Sequence, residues 1–290
     1  MNIAAFVIIL LSSAILAVAA PARVQLGYNH GGGMSISADG KPLLNNFTWS
    51  VKVNGEELTA SDSDTHGLVK VDFKWKPLGD QAGAVVEVVA TNISSSDVNI
   101  SQIEPIRALG EKRGGCAFGV AGDHSGVTKV LTNGYIYYDS GQLRDFGPAE
   151  TKAIDSFWNA AFYQPDPRRV FVVGYLNNDV AEGRIIARRN GGPEFDLIAR
   201  SLLHPSFVLK PGQAISSGKV MLLLSDNPWD ALENYADSIV AGNSPARKLA
   251  PVINGWCSWF VYYGGVSEAE VLKNAEFIAR ELKPYGMDWI

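Results

Sequence analysis

The stretch Asn254-Gly255-Trp256-Cys257-Ser258-Trp259-Phe260-Val261-Tyr262-Tyr263, together with the residues from there to Ile290, decides how this chain is read. Val252 to Phe260 is β-branched and aromatic at a length suited to a buried strand, with Pro251 at its mouth. Ser267 then stands three residues before Glu270 in a capping box, and Val271, Ala275, Ile278 and Leu282 fall on one helical face. Pro284 and Gly286 stop that helix, and Met287-Asp288-Trp289-Ile290 opens a second apolar run. Strand, crossover helix and strand make the repeating unit of a (β/α)8 barrel, whose neighbouring strands pair in parallel. The chain enters its second strand only in its final residues, so the sequence is expected to be the front part of something longer.

Upstream of this unit the hydrophobic period is two. Phe47, Trp49, Val51 and Val53 alternate with polar positions and end at Asn54-Gly55, a tight-hairpin signal. Val69, Val71, Phe73 and Trp75 alternate with Lys70, Asp72 and Lys74 in the same way. Further strand-like runs cover 84–92, 98–106, 128–138, 170–176, 183–188, 195–202 and 216–225. So many strands separated by turns, with no convincing helix among them, predict a mainly β fold: a large β-sandwich over 23–226. At Ser225-Asp226-Asn227-Pro228-Trp229 a capping residue and a proline open a helix to about Val240, with Trp229, Leu232, Ala236 and Ile239 as its apolar stripe. The expected layout is a sandwich, a linker helix and linker over 227–250, and the incomplete start of a barrel over 251–290.

The N-terminus is apolar from Ile3 to Val18, carries no charged side chain before Arg23 and ends in small residues, which predicts a signal peptide over 1–22. An uncleaved membrane anchor is the alternative, since the run to Ala22 is just long enough to span a bilayer. The protein is therefore expected to be secreted or periplasmic. A net charge of −5 argues against a nucleic-acid partner, which needs a basic face to neutralise phosphates. The clusters Arg168-Arg169 and Arg184, Arg188 and Arg189 read as solvated strand edges or turns. Asp139, Asp145 and Asp155 read as turn aspartates that hydrogen-bond locally. Cys116 and Cys257 are too few for a disulfide framework and read as free thiols, a bridge between domains being the alternative. His30, His66, His124 and His204 are isolated and lack metal-ligand spacing, so neither metal nor cofactor is expected. The sequons at Asn46, Asn92 and Asn99 have meaning only in a host that glycosylates.

The run Gly255-Trp256-Cys257-Ser258-Trp259-Phe260, followed by a tyrosine-rich turn and a helix carrying Leu272-Lys273-Asn274, resembles the first barrel strand of the retaining α-galactosidases, or melibiases. In that family the second barrel strand continues into an Asp-Asp pair, which Asp288 precedes and does not belong to. The family's nucleophile and acid/base aspartates lie on later barrel strands, none of which this chain contains. The resemblance also reaches the sandwich, where Leu131-Thr132-Asn133-Gly134-Tyr135-Ile136-Tyr137-Tyr138 matches a segment that places an aromatic over the sugar. The family commonly has Trp at the position of Tyr138, and Tyr at that of Phe260.

Trp259, Phe260 and Tyr138 are thus the implied substrate-binding residues, because the axial C–H face of a pyranose is apolar and packs on aromatic rings. Such rings supply a platform and no chemistry; each is equally at home in a sandwich or barrel core. The resemblance implies retaining hydrolysis of terminal α-galactosides through two carboxylates by the complete enzyme, with an α-galactoside-type oligosaccharide or polysaccharide as partner. Two other classes stay open at this level, a galactosyl-transferring relative and a non-catalytic carbohydrate-binding sandwich protein.

Overall fold

A computed structural model describes residues 23–29, 32–60, 67–110, 114–134, 140–177, 179, 181–243 and 254–290. The expected signal segment, Tyr138, Asp139, His30 and His66 lie outside the described residues. The chain divides into two units, Met1–Asn243 and Ser244–Ile290.

In the first unit the strands run β1 Val24–Tyr28, β2 Met34–Ala38, β3 Lys41–Val53, β4 Glu56–Thr59, β5 Val69–Pro77, β6 Gly83–Asn92 and β7 Val98–Ala108. After these come the short β8 Gly115–Cys116, β9 Val120–Ala121 and β10 His124–Ser125, then β11 Lys129–Thr132, β12 Gln142–Asp145, β13 Ile154–Phe157 and β14 Asn159–Gln164. Next are β15 Arg169–Tyr175, β16 Glu182–Arg189, the long β17 Phe195–Leu209, β18 Ala214–Ser216 and β19 Val220–Ser225, and after them helix α1, Pro228–Gly242. One sheet has the order β1-β2-β3-β7-β17-β16-β13, with β4 and β8 added to it; the second has the order β12-β11-β14-β15-β19-β6-β18. β5 pairs along the whole of β6, so β18 and β19 share the other edge of that strand in tandem. All these pairings are antiparallel, as the alternating runs predict.

Asn54 and Gly55 both take positive φ, 49° and 90°, at the β3–β4 hairpin that their dipeptide predicts. The predicted run 216–225 is broken between β18 and β19. There Ser217 Oγ accepts from the Val88 N–H, and Gly218 adopts φ 78°. The chain passes directly from β13 in the first sheet to β14 in the second through Trp158 at φ 72°, and the ring of Trp158 packs on both hydrophobic clusters. Asn92, in one of the sequons, is fully buried and donates to the carbonyls of Ser96 and Leu209, a structural role that shields its amide.

The main core lies between the sheets, where Phe146, Phe162, Phe171 and Phe195 stack at centroid separations of 5.0–6.4 Å. A second cluster lies on the outer face of the second sheet, where Val170, Val172, Met221 and Leu223 meet Ala231 and Tyr235 of α1. Phe171, Val173 and Tyr175 of the same β15 face the main core, which explains why 170–176 reads as a continuous apolar run. The face α1 buries is centred on Ala231 and Tyr235, not on the predicted Trp229, which is 75% exposed, or Ala236. Asn227 caps the helix, accepting from the Trp229 N–H at 3.1 Å.

Three sequence-based expectations change here. Arg189 is buried, not solvated. Asp145 and Asp155 are strand residues paired with Lys129 and Arg184 at 2.6 and 2.7 Å, not turn residues. Cys257, which the sequence places within a buried strand, is an exposed free thiol, whereas Cys116 is wholly buried, and that burial pushes its thiol pKa well up. Under native conditions a water-soluble maleimide is expected to label Cys257 fast and Cys116 only after denaturation. Two fast-reacting thiols would overturn the assignment of Cys116 to a closed core.

Candidate functional site

The residues singled out by their aromatic pattern and present in the described structure belong to the second unit. Its frame is a capped helix, α3 Glu268–Phe277, in which Ser267 Oγ accepts from the Glu270 N–H and the Glu270 carboxylate accepts from the Ser267 N–H. The helix runs on through a wider turn to Leu282. Val271, Ala275, Ile278 and Leu282 are among its less exposed positions, as their spacing predicts, with Ile278 at 5%.

On either side of this helix the backbone pairs in parallel. Gly255 bridges Trp289, the Trp256 N–H donates to the Trp289 carbonyl, and the Asp288 N–H donates to the Asn254 carbonyl, both at 3.0 Å. A side chain on Gly255 would place its Cβ 2.6 Å from the Trp289 carbonyl oxygen, so this close approach needs glycine.

Among the described residues the strand predicted over Val252 to Phe260 is reduced to the single bridge at Gly255 and does not reach Phe260. After Ser258 the chain turns into a short helix, α2 Trp259–Tyr262, so Trp259 and Phe260 stand on a helical turn beyond the bridge. Asn274 Nδ2 donates to Tyr262 Oη at 3.4 Å, and Trp256 packs edge-on against Tyr262 at 6.2 Å. Trp256, Tyr262 and Asn274 therefore hold the turn. Trp259, 52% exposed, packs edge-on with Tyr263 at 5.8 Å, and Phe260 is 80% exposed. Both rings therefore leave apolar surface uncovered. Asp288, beside the bridge, is exposed.

In the first unit, sequence reasoning misses Arg169. Beside Arg168 it reads as half of a solvated pair, yet its side chain is only 20% exposed and lines two clefts. The residues around it come from turns far apart in sequence, and no local pattern marks them. Among the described residues no group of His, Cys, Asp or Glu is arranged to hold a metal ion, and no helix is long and apolar enough to cross a membrane.

No protein-family model and no curated protein matches this chain. Among solved structures, the Slr1438 protein from Synechocystis sp. PCC 6803 is similar over 71% of this chain and 93% of its own, with 11% identity and a TM-score of 0.43. An α-galactosidase from Lactobacillus brevis is similar over 89% of this chain, with 12% identity and a TM-score of 0.44. The GH36 α-galactosidase AgaA from Geobacillus stearothermophilus is likewise similar over 89%, with 9% identity and a TM-score of 0.44. The chain spans about a third of these two galactosidases, 34% and 36% of their lengths. Scores and identities this low identify neither a family nor a site.

Proposed function

We propose that these residues form the sandwich and the opening crossover of a secreted retaining glycosidase that acts on terminal α-galactosides. The observation that carries this reading is the parallel pairing of Gly255 with Trp289 across the capped helix, immediately after an antiparallel sandwich unit. Parallel pairing through a helix is the first step of a βα barrel, and an isolated sandwich has no use for it. The Trp256-Cys257-Ser258-Trp259 segment at that first step is the part that resembles the melibiases.

In this reading Trp259 and Phe260 pack against the apolar face of the galactosyl ring. The nucleophile and the acid/base are carboxylates on barrel strands that these residues do not include, so the Trp259 turn by itself holds sugar feebly and these 290 residues hydrolyse nothing. In the full-length gene product, hydrolysis of an aryl α-galactoside is expected. Trp259→Ala should lower kcat/KM by about tenfold or more per folded molecule, since one ring face is worth about 1.5 kcal/mol. Trp75→Ala, which removes a ring packed against the sandwich core, should lower activity only in proportion to the folded fraction. Equal specific activities for the two variants would make Trp259 a packing residue, and an inactive full-length product would sink the glycosidase reading.

A further inference from the structure

Two clefts open at the end of the sandwich that carries the β2–β3, β5–β6 and β14–β15 turns. One, of 390 Å³, has Phe118 and Leu43 in its lining together with Lys41 and Glu194. The other, of 320 Å³, is lined by Asp39, Asp226 and Asp230 among others. Arg169 and Leu224 line both, so the clefts meet across these two residues as one groove. Each is of a size that takes a small ligand.

Arg169 is unlike other arginines of the sandwich. Arg23 and Arg184 form forked pairs with Asp39 and Asp155, and Arg189 donates to backbone carbonyls. The guanidinium of Arg169 makes no hydrogen bond within the protein among the described residues. Its contact with Asp226 is 3.5 Å long, and the Asp226 side chain is 85% exposed, so the pair holds it weakly. A four-fifths-buried cation, held by a long ion pair with an exposed carboxylate, is thus presented between the two clefts.

We infer that this groove binds a neutral oligosaccharide, with Arg169 donating to hydroxyls at its centre. The charge balance selects the class: Lys41, Arg23 and Arg169 face Glu194, Asp39, Asp226 and Asp230, so the groove has no positive field for a polyanion. Sugar hydroxyls donate to carboxylates and accept from a guanidinium, and a mixed lining serves both. The Phe118 side of the first cleft suits the apolar face of one ring, and the carboxylates of the second suit the hydroxyl rim of another. A monosaccharide fills one cleft only. The ligand class rests on the proposed function, but the site shares no residue with the Trp259 turn.

The test is calorimetric titration of the full 290-residue chain with raffinose, an α-galactosyl trisaccharide, beside galactose and trigalacturonate. Saturable raffinose binding is expected, tighter than that of either comparison sugar. Lys41→Ala and Asp230→Asn alter exposed side chains in separate clefts, and each should weaken it by about tenfold, the worth of one charge-assisted hydrogen bond. Arg169→Met should abolish it with the melting transition retained; if that variant unfolds, the two rim variants decide. Absence of saturable binding, tighter binding of trigalacturonate, or binding lost in Trp259→Ala but kept in both rim variants would overturn the groove. The last outcome leaves the glycosidase reading standing. Groove binding combined with an inactive full-length product overturns only that reading.

Discussion

Arg189→Ala should destabilise the sandwich by about 4 kcal/mol, the joint cost of a cavity between two phenylalanines and of buried carbonyls left without their donor. Arg189 is 6% exposed at the end of β16 and points into the core between the sheets. Its Nε and Nη2 donate to the Phe146 carbonyl at 3.2 and 3.0 Å, Nη2 donates to the Val127 carbonyl at 3.1 Å, and Nη1 donates to the Pro193 carbonyl at 3.2 Å. The same guanidinium lies over the rings of Phe146 and Phe195, 4.8 and 5.1 Å from their centroids. No carboxylate among the described residues pairs with it. Burial holds its pKa below the usual arginine value, the direction expected of a cation stabilised by dipoles and ring faces without a counter-ion.

Truncation to alanine removes the donor to three carbonyls and the packing between two phenylalanines at once. Arg189→Met keeps much of the volume and removes the desolvated charge, so it should cost less, about 2 kcal/mol, from the carbonyls that lose their donor. Arg189→Lys should not rescue, because an ammonium cannot span three acceptors and stack flat on two rings. Chemical denaturation of the three variants checks this order. A methionine variant as stable as the parent would show that the carbonyl bonds are incidental and that Arg189 is a space filler.

The second large effect is expected at Gly174, where α1 comes closest to the sheet. A Cβ there would lie 2.5 Å from Tyr235 Oη and 2.6 Å from Asn159 Cβ, distances that side chains do not tolerate. Tyr235 is buried, and its hydroxyl donates to the Tyr175 carbonyl at 2.6 Å, so it has little room to retreat without losing that bond. Gly174→Ala should therefore cost about 3 kcal/mol through overpacking and the displaced hydrogen bond. The two sites should be coupled: in a Tyr235→Ala background the same substitution should cost clearly less, with only the Asn159 contact remaining. Additive costs in a double-mutant cycle would mean that the helix does not set the requirement for glycine.

Both positions show where local sequence stops being informative. Arg189 sits in a basic run, Arg184 to Arg189, whose members alternate between a solvated sheet face and the core. Local pattern places the whole run in solvent because a buried charge without a carboxylate leaves no local mark. Gly174 lies in an apolar run that identifies a strand buried on both faces, but nothing nearby in sequence names Tyr235 as the residue that covers it. The stripe of α1 holds at Leu232 and Ile239, which pack on the second cluster, and fails at Trp229 and Ala236 for a related reason. Trp229 is the largest residue at helical spacing, yet the face that docks is centred where small Ala231 lets the helix approach and Tyr235 finds a buried acceptor.

What the sequence determined by itself was most of what depends on short-range periodicity and capping. The period-two runs specify antiparallel strands, Asn54-Gly55 specifies its hairpin, and Ser267 with Glu270 specifies the start of α3, because each is a property of neighbouring backbone and side-chain groups. The tertiary structure alone decided which strands share a sheet, that the run through Phe260 turns into a helical turn after Ser258, and that Arg169 stands between two clefts, held by a long ion pair with Asp226. Those outcomes arise where segments distant in sequence are brought together. There the balance of desolvation, packing and hydrogen bonding is set by the neighbours that arrive, and no window of sequence contains them.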